Sequence, residues 1–282
     1  MGIPPTGGTG QPKPVNVASV PQRSPFRYPG GKTWLVPVVR TWLRSVAPRP
    51  RVFVEPFAGG ASVGLSVAAE RLADRVVLAE IDDGVAAVWK VVLSDRWEAL
   101  AQRILDFEVT RDNVLRVLEN EPRNEYELAF QTIVRNRMQR GGILAPGASL
   151  VKFGENGRGL RSRWYPKTLA LRIQAIAEMA DRIEFLHTDG CQLIPQFLRQ
   201  KTAALFIDPP YTAGGKRAGK RLYTHHAVDH RSLFAMAQCA QGPLMMTYDQ
   251  SCEVVELSRE FGLCVHRVPM KSGHHTVAFE LI

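Results

Sequence analysis

The chain has no apolar run approaching the ~18 residues needed to cross a bilayer, and its N-terminus lacks the apolar core of a secretion signal. A spanning helix is excluded on that reading, and a cytoplasmic protein is expected. Cysteine is scarce. Cys191, Cys239, Cys252 and Cys264 form no C-x-x-C pair, which excludes a zinc ribbon or a disulfide framework, and their mostly apolar neighbours predict buried thiols. No internal repeat is present. With 45% hydrophobic and 22% charged residues, wholesale disorder and a coiled-coil rod are also excluded. Acidic residues are in short supply: 27 Asp+Glu face 36 Lys+Arg across 282 residues, a formal charge of +9. That excess points to a polyanionic partner, either nucleic acid or an acidic surface.

Residues 1–24, rich in Gly and Pro without a periodic apolar face, predict a disordered tail. From Arg51, a β-branched and aromatic run, a glycine turn and an apolar-periodic segment read as strand, turn and helix. RVVLAE (75–80) and the segment after it repeat the pattern, giving the β-α alternation of a parallel, helix-flanked sheet. Further strands are expected at 182–189, 203–210, 243–249 and 277–282. Residues 95–166 have a different texture, helical at first and then Gly- and Arg-rich. They predict an inserted, largely helical recognition domain on a Rossmann-like α/β core formed by 25–94 and 167–282.

The tetrapeptide Asp208-Pro209-Pro210-Tyr211 ends the apolar strand AALFI, and ligands of open parallel sheets bind at the carboxyl ends of their strands. Two prolines fix φ and supply no N–H, leaving a rigid turn rich in acceptors. Such a turn suits an exocyclic amino group. Asp208 and the Pro209 carbonyl are placed to accept its two hydrogens, drawing the lone pair toward an electrophile, while Tyr211 stacks on the heterocycle.

Asp208 to Tyr211 resembles the D-P-P-Y signature of the Dam-like DNA adenine-N6 methyltransferases, and other motifs of that family occur here in the family's order. Phe26-Arg27-Tyr28-Pro29-Gly30-Gly31-Lys32 is similar to F-x-Y-x-G-G-K, whose aromatic residue and lysine contact S-adenosylmethionine. The resemblance implies cofactor contacts for Tyr28, Gly30, Gly31 and Lys32, with the ammonium pairing the methionine carboxylate. Glu55-Pro56-Phe57-Ala58-Gly59-Gly60-Ala61-Ser62 resembles the family's E-P-F-x-G-x-G-S turn, which implies roles for Glu55, Phe57, Gly59 and Ser62. Glu80-Ile81-Asp82 is similar to D-I-N, placing a carboxylate by the cofactor ribose with Ile81 beside it. Asp189 falls where the family has a residue near the cofactor adenine. Residues 222–233 resemble its Y…D-H-x-x-L element, and Phe279 to Ile282 its closing E-L-L-I strand. The implied mechanism is direct methyl transfer from S-adenosylmethionine to N6 of a flipped adenine in duplex DNA, without a metal, by a monomer or weak dimer.

Seven of the nine excess charges lie between Arg135 and Lys167, where eight basic residues meet one acid, Glu155. Arg135, Asn136, Arg137, Arg140, Lys152, Arg158, Arg161, Arg163 and Trp164 are the expected DNA-binding residues, Asn136-Arg137 matching the family's N-R pair. MQRGGILAPG departs from the base-reading hairpin of GATC enzymes, so a different recognition sequence is expected. Lys216, Arg217, Lys220 and Arg221 form a second basic run, either a loop over the flipped base or a solvated one. Restriction, phage and housekeeping roles stay open, as does association with the nucleoid. Gly31-Lys32-Thr33 resembles the end of a phosphate-binding loop, but Phe26 stands where that pattern needs glycine. Cytosine-C5 chemistry needs a cysteine nucleophile at the site, and none is placed there. The alternatives are a catalytically silent DNA-binding protein, or transfer to cytosine N4 or RNA adenine.

Overall fold

The computed structural model describes residues 14–27, 30–144, 148–154, 157–210, 228–271 and 277–282. Val52–Glu55 (β1), Arg75–Glu80 (β2), Ile183–His187 (β3), Ala203–Ile207 (β4) and Leu244–Met246 (β5) form one parallel sheet, ordered β3-β2-β1-β4-β5. Every residue of β4 is buried, which is why it reads as a continuous apolar run instead of an alternating one. Side chains still alternate between faces. Phe53, Val76, Leu78, Ala204 and Phe206 enter one hydrophobic cluster, while Val54, Val77, Ala79, Leu205 and Ile207 enter the other.

The first cluster is covered by Val36–Ser45 (α1), Ser62–Ala69 (α2), Asp83–Val92 (α3), Trp97–Asp106 (α4), Arg111–Glu119 (α5), Glu125–Met138 (α6) and Pro166–Ala177 (α7). Gly190–Leu193 (α8), His230–Gln238 (α9) and Cys252–Glu260 (α10) cover the second. The chain runs outward from β1 to β2 and β3, then returns to β4 on the other side of β1. The carboxyl ends of β1 and β4 therefore flank the switch point of a doubly wound sheet, where such folds bind ligands. Tyr248–Asp249 (β6), Arg267–Lys271 (β7) and Val277–Leu281 (β8) form an antiparallel sheet in the order β6-β8-β7. The Rossmann-like α/β expectation holds. No helix among the described residues is long and apolar enough to cross a membrane.

Four expectations need correction. Residues 14–24 are not a loose tail: Val17–Ser19 form a helical turn, and Val20 and Ser24 are buried. The helices of the expected insertion are not a separate body. Leu100, Ile104, Phe130, Ile133 and Val134 share one core with Val88 and Trp89 of α3, because α4 to α6 carry apolar stripes that only the sheet's helical layer can bury. Cys239, Cys252 and Cys264 are exposed and Cys191 half-buried; helix-end and loop positions keep them at the surface despite apolar neighbours in sequence. The strand expected over 243–249 divides at Thr247, whose N–H still bonds the Ile207 carbonyl (2.9 Å).

Candidate active site

The turn after β1 is built around two carboxylates. Glu80, at the end of β2, accepts hydrogen bonds from the Gly59 N–H (2.9 Å) on one oxygen and from the Ile81 and Asp82 N–H groups (2.8 and 2.9 Å) on the other. The Trp89 indole donates to the Gly59 carbonyl (2.9 Å), and the Ala58 N–H donates to the Ala79 carbonyl (2.9 Å). Gly59 and Ala61 both take left-handed φ near +47°, the tight path that lets α2 begin at Ser62. Burial raises the Glu80 carboxyl above its usual value, and these N–H groups oppose the rise.

Glu55 ends β1 and accepts the Gly64 N–H at 2.7 Å. Desolvation pushes its carboxyl up to about 8, with the negative charge of Asp208 adding to the effect. The native state therefore holds a proton that the unfolded chain releases above about 4.5. Its contribution is fully present below that value and is lost as pH rises toward about 8. Glu55→Gln keeps an acceptor for Gly64 and removes the titration. Chemical unfolding of the two proteins between about pH 5 and 8 is expected to show a decline in the parent that is flattened in the variant; equal declines would contradict the assignment.

Asp208 stands at the end of β4. Its Oδ1 accepts from Thr247 Oγ1 (2.6 Å) and lies 2.9 Å from Lys32 Nζ. Lys32 Nζ also lies 3.2 Å from Glu280 Oε1 and donates to the Gly30 carbonyl (3.0 Å). Burial works against the charge on Lys32, but Asp208 and Glu280 outweigh it and raise the ammonium above its usual range. An ammonium has three donors, and these three groups engage them. The lysine expected to meet a cofactor carboxylate is here the buckle between the β4 turn and β8. Glu280 and Thr247 were not foreseen as site residues. Glu280 carried a signal, being the one charged residue in Val277 to Ile282.

Phe57 is half-buried beside Gly190, and Ile81 is 38% exposed at the end of β2. Asp189 caps α8 through the Cys191 N–H (2.8 Å). A side chain at Gly190 would run into the Pro56 carbonyl, so glycine is what lets α8 close on the β1 turn. Gly30 and Gly31 are exposed and Ser62 is half-buried at the start of α2, while Pro209 is buried and Pro210 half-buried. Tyr28, Tyr211 and the Lys216 to Arg221 run lie outside the described residues, as does Glu155.

The basic segment divides. Arg140, Lys152, Arg158 and Arg161 are exposed, and Arg135 and Arg163 half-buried. Asn136, Arg137 and Trp164 face inward, correcting the expectation that they meet DNA. Asn136 accepts from the Arg27 N–H (2.8 Å) and donates to the Arg27 and Gly142 carbonyls (3.0 and 2.9 Å). Arg137 donates to the Pro25 carbonyl. Trp164 packs edge-on against Phe107 with centroids 5.4 Å apart. Buried side chains with these partners hold the N-terminal segment and the core together, and a groove contact would require breaking them.

A glycine turn after β1, a carboxylate at the end of β2 and an Asp-Pro-Pro turn at the end of β4 stand together at the carboxyl end of a doubly wound, Rossmann-like sheet, where such folds bind ligands. Residues 28–137 match the family model of the D12 class N6 adenine-specific DNA methyltransferases. That family's description names methyl transfer to adenine N6 of DNA, and the match supports a methyltransferase. A solved structure from Pyrococcus horikoshii, described as a transferase by provisional assignment, is 11% identical. It aligns with 86% of this chain at a TM-score of 0.35, the match spanning 59% of that protein's length. Likeness at that level carries no argument. No curated protein matches the chain.

Proposed function

We propose that the protein transfers a methyl group from S-adenosylmethionine to N6 of an adenine flipped out of a specific site in duplex DNA, acting as a monomer or weak dimer without a metal. The observation that carries this reading is the position of Asp208-Pro209-Pro210 across the switch point from the β1 turn. The donor set fits an adenosyl group: Glu80 for ribose hydroxyls, exposed Ile81 and half-buried Phe57 as apolar walls, and Asp189 at the adenine edge. When bound, that cofactor supplies an electrophilic methyl group.

The chain's own residues do the rest. The Asp208 carboxylate and the Pro209 carbonyl accept the two N–H groups of the adenine amino group, which concentrates its lone pair on nitrogen. Lys32 and Thr247 hold Asp208 in one orientation, so little reorganisation is needed at the moment of reaction. Tyr211 stacks on the flipped base, stabilising charge as it develops. The tightly held β4 turn favours a working enzyme over a silent DNA-binding protein, since binding alone has no use for an oriented acceptor pair. Transfer of labelled methyl to duplex DNA by the purified protein is expected; DNA binding with no transfer would sink the reading.

The exposed cations Arg140, Lys152, Arg158 and Arg161, with half-buried Arg135 and Arg163 behind them, form the phosphate-facing surface. Replacing Arg140 and Arg158 together with glutamine is expected to lower duplex affinity at all sequences alike. The slope of log affinity against log salt should fall by roughly 0.9 per lost contact. An unchanged slope in a fluorescence-anisotropy titration would place these residues off the DNA.

A further inference from the structure

A cavity of about 480 Å³ opens beside the cofactor motifs, lined by Ser24, Phe26, Gly31, Trp34, Ser62 and three arginines, Arg137, Arg163 and Arg172, among others. Among the described residues that line it there is no aspartate or glutamate. Arg137 is only 4% exposed, and its Nε has no hydrogen-bond partner. Arg172, half-buried on α7, donates to the Ser24 carbonyl (3.0 Å). Among the described residues, no carboxylate pairs with either guanidinium. Burial, with Arg172 as the next contribution, pulls the Arg137 guanidinium down to about 10, and burial lowers Arg172 as well. A buried cation without a counter-charge is costly, several kcal/mol, and the persistence of Arg137 beside half-buried Arg172 in an open cavity points to an anionic ligand.

We infer that this cavity is the subsite for the carboxylate at the amino-acid end of the methyl donor, with Arg137 and Arg172 as its partners. The inference rests on the donor reading above. Three observations favour a small carboxylate here. The cavity is walled by Gly31 and Ser62, from the two segments that resemble cofactor motifs, and by the apolar rings of Phe26 and Trp34, which suit the methylenes leading to the carboxylate. Lys32, the other candidate cation, has its donors directed to Asp208, Glu280 and Gly30. Arg137 lies too deep for a phosphodiester held on a duplex, whereas a carboxylate on a flexible arm reaches it.

Calorimetric titration with S-adenosylhomocysteine, which has the amino-acid arm, and 5′-methylthioadenosine, which lacks it, tests the assignment. The parent is expected to bind S-adenosylhomocysteine about tenfold or more tightly than 5′-methylthioadenosine. Arg172→Met, and Arg137→Lys as a variant that keeps the charge but loses the planar fork, should each weaken S-adenosylhomocysteine by about tenfold while changing 5′-methylthioadenosine less than about threefold. An unaltered gap, or equal losses for both ligands, would overturn the inference. So would a loss of duplex affinity with the gap intact, which would assign the arginines to a phosphate. A parent that binds both ligands equally removes this inference alone, and a parent that binds neither removes the donor reading with it.

Discussion

Asp208→Ala is expected to lower methyl transfer by at least about a hundred- to a thousandfold, the usual loss when a preorganised partner of the reacting group is removed. Cofactor affinity should stay within about tenfold of the parent. The reason is geometric: Asp208 stands at the end of β4, and Thr247 Oγ1 and Lys32 Nζ fix its Oδ1 at 2.6 and 2.9 Å. The ribose and adenine contacts proposed for Glu80, Ile81 and Asp189 belong to other elements. Single-turnover kinetics with saturating cofactor and DNA separates the two effects, since a group acting mainly on the amino nitrogen changes the chemical step more than binding. Near-normal turnover would remove Asp208 from the reaction. A loss confined to cofactor binding would move it to the donor side.

Lys32→Met is expected to cost about 3–5 kcal/mol of stability, because it leaves the buried Glu280 and half-buried Asp208 carboxylates without the ammonium they now face. The Lys32 side chain is 6% exposed, as is that of Glu280, and that of Asp208 20%. Since the folded protein raises the Lys32 ammonium above its usual range, this stabilisation is present at all lower pH and is lost only at strongly alkaline pH. The loss on substitution should therefore be the same at about pH 6 and pH 9. Glu280→Gln combined with Lys32→Met should recover part of it, because one of the abandoned charges is gone. Denaturant unfolding measures both. A change under about 1 kcal/mol in Lys32→Met would mean that the buckle does not hold the β4 turn to β8.

Much of this architecture is legible in the residues. β2 and β4 are apolar runs bounded by turn residues, and α3 and α6 begin at Asp82 and Asn124, whose side chains accept the Val85 and Glu127 N–H groups (both 3.0 Å). The Asp-Pro-Pro turn and the glycine turn stand at the strand ends where motif and fold agree. β7 was not foreseen, because RVPMK mixes charge and proline and gains its pairing only from β8. The site differed where charge met tertiary structure. The motif that Lys32 belongs to implied a cofactor ligand, yet residues nearly 180 and 250 positions away in sequence, Asp208 and Glu280, are what it touches. Arg137 and Trp164 belonged by composition to a DNA-facing cluster. Helical phase turns Arg137 inward and packing against Phe107 holds Trp164 inside, and a net-charge count reports neither. Turned inward, Asn136 and Arg137 hold the Arg27 and Pro25 carbonyls and so tie the N-terminal segment to α6.

The central claim is that the carboxyl end of this sheet methylates adenine N6 in DNA. The most direct measurement is sequencing that reports N6-methyladenine in unmethylated duplex DNA after incubation with the purified protein and S-adenosylmethionine, run beside Asp208→Ala. The account predicts N6-methyladenine confined to one short sequence in the parent reaction and absent from the variant. Methyl groups on cytosine N4, transfer that persists without Asp208, or DNA left unmodified by a protein that binds both DNA and cofactor would contradict it.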